Sequence, residues 1–293
     1  MNRLKKLFIA ILFAFIVSLS FTTCDRRITV ENADLSTENV DVKDFELLYC
    51  NIEQLTNNQI IKNETQTRGL FGKILACVLA DGFGFWVGGL DGAIQTSSLA
   101  YAIVSGKFSL RTSHNSLTVA DAIIPESEQG IDLDKSSAGY IHNLTIENVY
   151  RENGEIRFFE LSEKEQLSLL LEKSKEIQGN LNYISQNKMS EEEVYSTAKI
   201  ISQALDPNMT TSEYANKLKR IYNDEESKVV IDITSSIIRG LENSIDDRGE
   251  YIKKIEDAIA SSSLSKENKL RLNEVVSVTY ASSALWNSSI TSK

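Results

Sequence analysis

Small residues recur at every fourth position between Gly69 and Lys107, and that spacing constrains the fold more than any other feature of the chain. Gly72, Ala76, Ala80, Gly84, Gly88, Gly92, Thr96 and Ala100 form an unbroken series. On a helix they lie along one slowly drifting face and let another backbone approach closely. Eight of the 14 glycines fall between Gly69 and Gly106, and each weakens a helix by roughly 1 kcal/mol relative to Ala. Such a segment forms only if close packing compensates. Asp81 and Asp91 interrupt it, and its longest uncharged run, 92–106, carries Gln95, Thr96, Ser97 and Ser98, unlike a clean membrane-spanning helix. The expectation is a buried, close-packed helix or helical hairpin turning near Gly88-Gly89 or Asp91-Gly92. The alternative is a membrane-active or oligomerising stripe over Gly72 to Ala100.

The C-terminal half reads as helix throughout. Ser162 with Glu165, Ser190 with Glu193 and Thr210 with Glu213 are capping boxes, in which hydroxyl and carboxylate satisfy each other's backbone N–H groups. Gly179 is expected to stop the first of these helices, and Asp206-Pro207 the second. Val230, Ile233, Ile237, Ile238 and Leu241 follow helical spacing, as do Tyr251, Ile252, Ile255 and Ile259, and then Leu272, Val275, Val276 and Thr279. Glu191 to Glu193 and Asp224 to Glu226 fall in first turns, where carboxylates complement the macrodipole. The fold class is therefore mainly α, an irregular multi-helix bundle around a Gly/Ala-rich central helix or hairpin. With 293 residues and 42% hydrophobic content, the chain can bury a sizeable core. The expected divisions are 1–23, a leader; 24–66, a tether; 67–160, the Gly-rich segment and an irregular connector; and 161–293, the bundle, with 67–293 one domain. Within the tether, Phe45 to Ile52 is apolar enough to dock, and Asn57 to Arg68 reads as a polar connector.

The N-terminus carries an address. Arg3, Lys5 and Lys6 precede an unbroken apolar run of 11 residues, Leu7 to Val17, too short for the roughly 20 residues that a spanning helix needs. It reads as the core of a signal peptide. Phe21-Thr22-Thr23-Cys24 then resembles the lipobox of bacterial lipoproteins, with Phe21 where Leu is usual and Thr23 where Gly, Ala or Ser is usual. That resemblance implies cleavage before Cys24, diacylglyceryl attachment to its thiol, and a body held outside the cytoplasm on a cell-envelope membrane, inner or outer undecided. Loss of residues 1–23, which hold three basic residues and no acid, takes the net charge from −10 to −13. So acidic a body does not suit a nucleic-acid partner. More than one acyl chain would make the anchorage stable.

Constellations for catalysis are sparse. The two histidines, His114 and His142, each precede an Asn, and no Gly-x-Ser-x-Gly elbow accompanies them. Cys77 lies among Leu75, Ala76, Val78 and Leu79, which would raise its pKa rather than activate it. Outside the cytoplasm Cys50 and Cys77 are a candidate disulfide, and otherwise small buried hydrophobes. Asp132, Asp134 and Ser136 alternate like the start of a calcium loop, but Ser137 occupies the Gly position and Asn143 that of the bidentate Glu, so a capping turn is expected. No cofactor or metal is implied by any motif. His142 is expected at a helix start, its polar edge bonded to backbone.

Three segments together resemble a group of bacterial exported proteins: the run Ala80-Asp81-Gly82 to Gly92-Ala93, the helix start Gly139-Tyr140-Ile141-His142-Asn143, and the end Ala281-Ser282-Ser283-Ala284-Leu285-Trp286. The group brings no catalytic role, but the resemblance nominates His142, Asn143 and Trp286 as one cluster. The leading functional expectation is a non-enzymatic, lipid-anchored protein serving interaction or envelope support through a protein partner. A membrane-active protein and an extracytoplasmic hydrolase are the alternatives.

Overall fold

A computed structural model describes residues 37–62, 72–104, 133–153, 158, 160–185, 189–206, 209–244 and 247–286. The leader, Cys24, and residues 105–132 of the irregular connector, His114 among them, lie outside these residues. The chain divides into two compact units, 1–40 and 41–293. In the first, the described part is the opening of α1.

Among the described residues there are nine helices and no strand: α1 (Thr37–Lys62), α2 (Gly72–Val104), α3 (Ala138–Asn153), α4 (Glu163–Asn180), α5 (Glu191–Gln203), α6 (Thr211–Ile221), α7 (Glu225–Glu242), α8 (Arg248–Ser261) and α9 (Lys266–Leu285). The fold is thus the mainly α multi-helix bundle that the periodicity implied. Ser162, Ser190 and Thr210 each form the full reciprocal capping box at the starts of α4, α5 and α6. The stop of α4 differs from the expectation. Gly179 stays helical, and the chain turns instead at Asn182, which takes the left-handed conformation at φ 53°. The Tyr183 N–H then bonds back to the Gln178 carbonyl, a role that Asn fills because its short polar side chain tolerates this region.

In the N-terminal stretch the docking expected of Phe45 to Ile52 is present and runs further along the chain than expected. Phe45, Leu48, Ile52, Thr56 and Gln59 recur at helical intervals and are all buried, so one face of α1 docks on the bundle. Residues 57–62, expected in a connector, continue that helix. Thr56 is held by the Tyr251 hydroxyl at 2.8 Å, and Glu53 forms an ion pair with Arg239 at 2.5 Å.

At the centre stands α2. A straight helix separates residues 16 apart by about 24 Å, yet the Ser97 hydroxyl donates to Asp81 at 2.9 Å. Hence α2 doubles back as a hairpin. The reversal is at Gly89, whose φ of 63° and ψ of −159° belong to a region that is essentially glycine-only. The arms, 72–88 and 90–104, meet through small residues. A Cβ on Gly92 would stand 2.5 Å from the Gly84 carbonyl oxygen, and one on Gly84 would stand 2.6 Å from Thr96 Oγ1. Within the every-fourth-residue series Gly84, Gly92 and Thr96 therefore form the inner seam of a hairpin, Gly88 faces Val194 of α5, and Ala76, Ala80, Gly84, Gly88, Gly92, Thr96 and Ala100 are all buried. α2 packs most extensively on α5 and α9, and α9 in turn on α3. Of the wall helices, α7 shows the pattern plainly, with Val230, Ile233, Ile237 and Leu241 turned inward.

Gly88→Ala and Gly89→Ala separate the two roles of adjacent glycines. A Cβ on Gly88 meets Val194 at an ordinary 3.5 Å, so Gly88→Ala should change stability by less than about 1 kcal/mol. Gly89→Ala should cost on the order of 1–3 kcal/mol from its backbone angles alone. Thermal unfolding followed by circular dichroism measures both.

Candidate functional site: a sealed polar cluster and an open cleft

The hairpin, α3 and α9 meet around one carboxylate. Gly139, at the second position of α3, has no Cβ to strike the Ser277 carbonyl, and its N–H bonds to Ser277 Oγ at 3.2 Å. That close approach carries the next turn of α3 onto α9. There Asn143 Nδ2 donates to the Ala281 carbonyl at 2.8 Å, which leaves Asn143 Oδ1 as the acceptor for His142 Nδ1 at 3.0 Å. The amide can only accept at that atom, so His142 Nδ1 bears hydrogen and the neutral ring presents a bare Nε2. His142 Nε2 lies 3.8 Å from Asp81 Oδ2. The same carboxylate oxygen accepts from Ser97 at 2.9 Å, Ser282 at 2.5 Å and Trp286 Nε1 at 3.4 Å. The Trp286 ring stacks on Tyr101 with centroids 4.6 Å apart and planes at 10°.

Asp81, His142, Ser97 and Ser282 are each 0% or 1% exposed. Among the described residues no Lys or Arg pairs with Asp81, and both Asp81 Oδ1 and His142 Nε2 lack a hydrogen-bond partner. Burial pushes the Asp81 carboxyl up to about 7, against the pull of Ser282, Ser97 and Trp286. Burial lowers His142 to about 4. Between those values Asp81 is protonated and His142 is neutral, so neither carries a charge in the core. Burial also raises Cys77 well above an ordinary thiol, and the charge of Asp81 adds to the effect. The structure thus brings the nominated His142, Asn143 and Trp286 to one place. Its centre, Asp81, and its partner Ser282 stood in the segments that carry the resemblance but were not themselves nominated, and Ser97 appeared only as a polar residue of the uncharged run.

Other nominated positions lie elsewhere. No disulfide joins Cys50 and Cys77. Asp134 accepts from the Ser136 N–H and hydroxyl at 2.9 and 2.8 Å, the capping turn before α3. The expectation that His142 bonds to backbone is corrected: its partner is the Asn143 side chain, and Asn143 reaches the backbone in its place.

A second feature opens to solvent beside the hairpin turn. It is a cleft of about 330 Å³ lined by Phe85, Val87, Tyr183 and Ile184 and, from α9, by Glu267, Leu270, Arg271 and Glu274. Arg271 lies over the Trp86 ring at 3.9 Å and donates to the Trp86 carbonyl. It thereby caps the open C-terminal end of the first arm.

Compared with known proteins, the chain matches no family model, no curated protein and no solved structure.

The Asp81 carboxyl predicts a pH signature. A carboxyl raised from 3.8 to about 7 contributes stability that is complete below its unfolded value and is lost as pH rises through the folded one. His142, lowered from 6.5 to about 4, acts oppositely: its contribution is present above 6.5 and is lost as pH falls toward 4. Asp81→Asn removes only the first slope. Its unfolding free energy relative to the native chain should rise between pH 4 and 8 by on the order of a few kcal/mol, measured by denaturant unfolding at each pH. A difference that does not change with pH would contradict the assignment.

Proposed function

We propose that this chain is an exported, lipid-anchored cell-envelope protein, attached through Cys24, whose helical body acts by binding and not by catalysis. One observation carries the second half of that reading. The groups most suited to acid–base chemistry, Asp81 and His142, are fully buried in the core, where no substrate reaches them unless the hairpin, α3 and α9 part. The sealed cluster has a structural reading instead: it locks the hairpin to α3 and α9 through directional bonds. The first half rests on the basic residues Arg3, Lys5 and Lys6, the 11-residue apolar run and the lipobox-like residues before Cys24. Insertion of the hairpin into a bilayer is less well supported. Its arms of 17 and 15 residues fall short of the roughly 20 that span a hydrocarbon core, and the apolar stretch Leu75–Ile103 is mostly buried within the body.

Cells expressing the chain should yield it in the membrane fraction with acyl label incorporated, and Cys24→Ser should abolish the label and release the body. In a broad hydrolase substrate screen, any turnover should be unchanged by His142→Ala. His142-dependent hydrolysis would overturn the binding reading, and acyl labelling of Cys24→Ser would overturn the anchorage.

A further inference from the structure

The sealed cluster holds two polar atoms that no described residue satisfies. Asp81 Oδ1 and His142 Nε2 belong to side chains that are 0% exposed, and neither has a hydrogen-bond partner. A buried polar atom left unbonded costs on the order of 1–3 kcal/mol, and native interiors leave few of them. The two side chains stand close without touching: His142 Nε2 is 3.8 Å from Asp81 Oδ2, beyond hydrogen-bond length.

Neither side chain is free to close that gap. Ser97 from the second arm, and Ser282 and Trp286 from α9, all donate to Asp81 Oδ2, so a rotation that brought Oδ1 to the ring would carry Oδ2 off three donors. On the other side, His142 Nδ1 is tied to Asn143 Oδ1 at 3.0 Å, and the Asn143 amide is tied in turn to the Ala281 carbonyl at 2.8 Å. Swinging the ring toward the carboxyl would break the first of these bonds. The two oxygens of a carboxyl are about 2.2 Å apart, so Oδ1 lies within about 6 Å of Nε2, the span of one small molecule bonded to both at about 2.8–3.0 Å.

We propose that the cluster binds one internal water molecule, held between Asp81 Oδ1 and His142 Nε2 and joining the hairpin to α3. The bare Nε2 only accepts, so its ligand must donate there. Asp81 Oδ2 already accepts three hydrogens, which leaves Oδ1 to carry the proton of the neutral carboxyl. Toward Oδ1 the ligand must therefore accept, and after ionisation donate. Water does both. An ammonium ion has no lone pair and suits only the ionised carboxyl, and an apolar molecule satisfies neither atom. Two partners lie within the two to four that hold a buried water, and such a bridge is nearly as favourable in enthalpy as a direct hydrogen bond. The site is separate from the open cleft and does not depend on the binding reading.

A high-resolution crystal structure of the full chain tests this without any substitution. It should show a single density peak about 2.7–3.2 Å from both Asp81 Oδ1 and His142 Nε2. In solution, oxygen-17 relaxation dispersion counts the waters that exchange slowly with bulk. Asp81→Asn, which keeps a polar atom at the Oδ1 position, should retain the native count, and His142→Phe should lower it by one. Two unbonded atoms with no peak between them, or a direct Asp81–His142 hydrogen bond, would overturn the proposal. A folded His142→Phe chain with the native count of slow waters would overturn it as well.

Discussion

The arrangement depends on how closely two backbones can pass. At Gly84 and Gly92 the arms of α2 come so near that a single methyl group on Gly92 would enter the opposing carbonyl oxygen's shell, at 2.5 Å. That contact exists only because Gly89 reverses the chain in a conformation that side-chain-bearing residues avoid. Reversal and seam together turn 33 residues into a compact pillar with α5 and α9 against it. A straight helix of that length would run to about 50 Å and could not bury the series Ala76 to Ala100 within one bundle.

The second consequence is electrostatic. Folding α2 back places Asp81 beside Ser97, and α3 and α9 complete its shell with His142, Ser282 and Trp286. Among the described residues no guanidinium or ammonium accompanies it, and burial raises its carboxyl to about 7 against the pull of three donors. Asn143 does the quieter work of setting the imidazole tautomer, because its own amide is oriented by the Ala281 carbonyl. A buried network of this kind costs desolvation and supplies direction. It fixes which faces of α2, α3 and α9 meet, something that Ile and Val stripes alone leave adjustable. The same turn that creates the sealed cluster also builds the open cleft, since Phe85, Val87 and Gly89 form its wall and Arg271 closes the arm's end beside it.

Much of the bundle was legible in the sequence because its signals are local. The capping boxes at Ser162, Ser190 and Thr210 and the stripe through Val230 and Ile237 depend on neighbours one turn away. The hairpin was legible only as one of two options, since four-residue spacing describes a straight small-residue face and a folded seam equally well. What escaped was decided by tertiary contact. Asn182, not Gly179, ends α4, because Gly has no obligation to leave a helix that packing continues. The docking of Phe45 to Ile52 was legible in its apolar run, but the helix's continuation through Gln59 was read as connector, because the partners of Thr56, Ser236 on α7 and Tyr251 on α8, lie 180 and 195 residues away in the chain. Asp81 was visible, with Asp91, as a charge in an apolar helix, but nothing local pairs it with Ser97 and Ser282 until the chain folds.

The reversal at Gly89 is the claim on which the seam, the sealed carboxylate and the cleft all rest. A nuclear Overhauser measurement between the Thr96 methyl and the Gly84 Hα protons tests it most directly, the two residues lying 12 apart in sequence. A hairpin in which Thr96 packs on Gly84 predicts a strong cross-peak between them. A continuous helix would hold them about 18 Å apart, and the absence of that cross-peak in the folded protein would contradict the account.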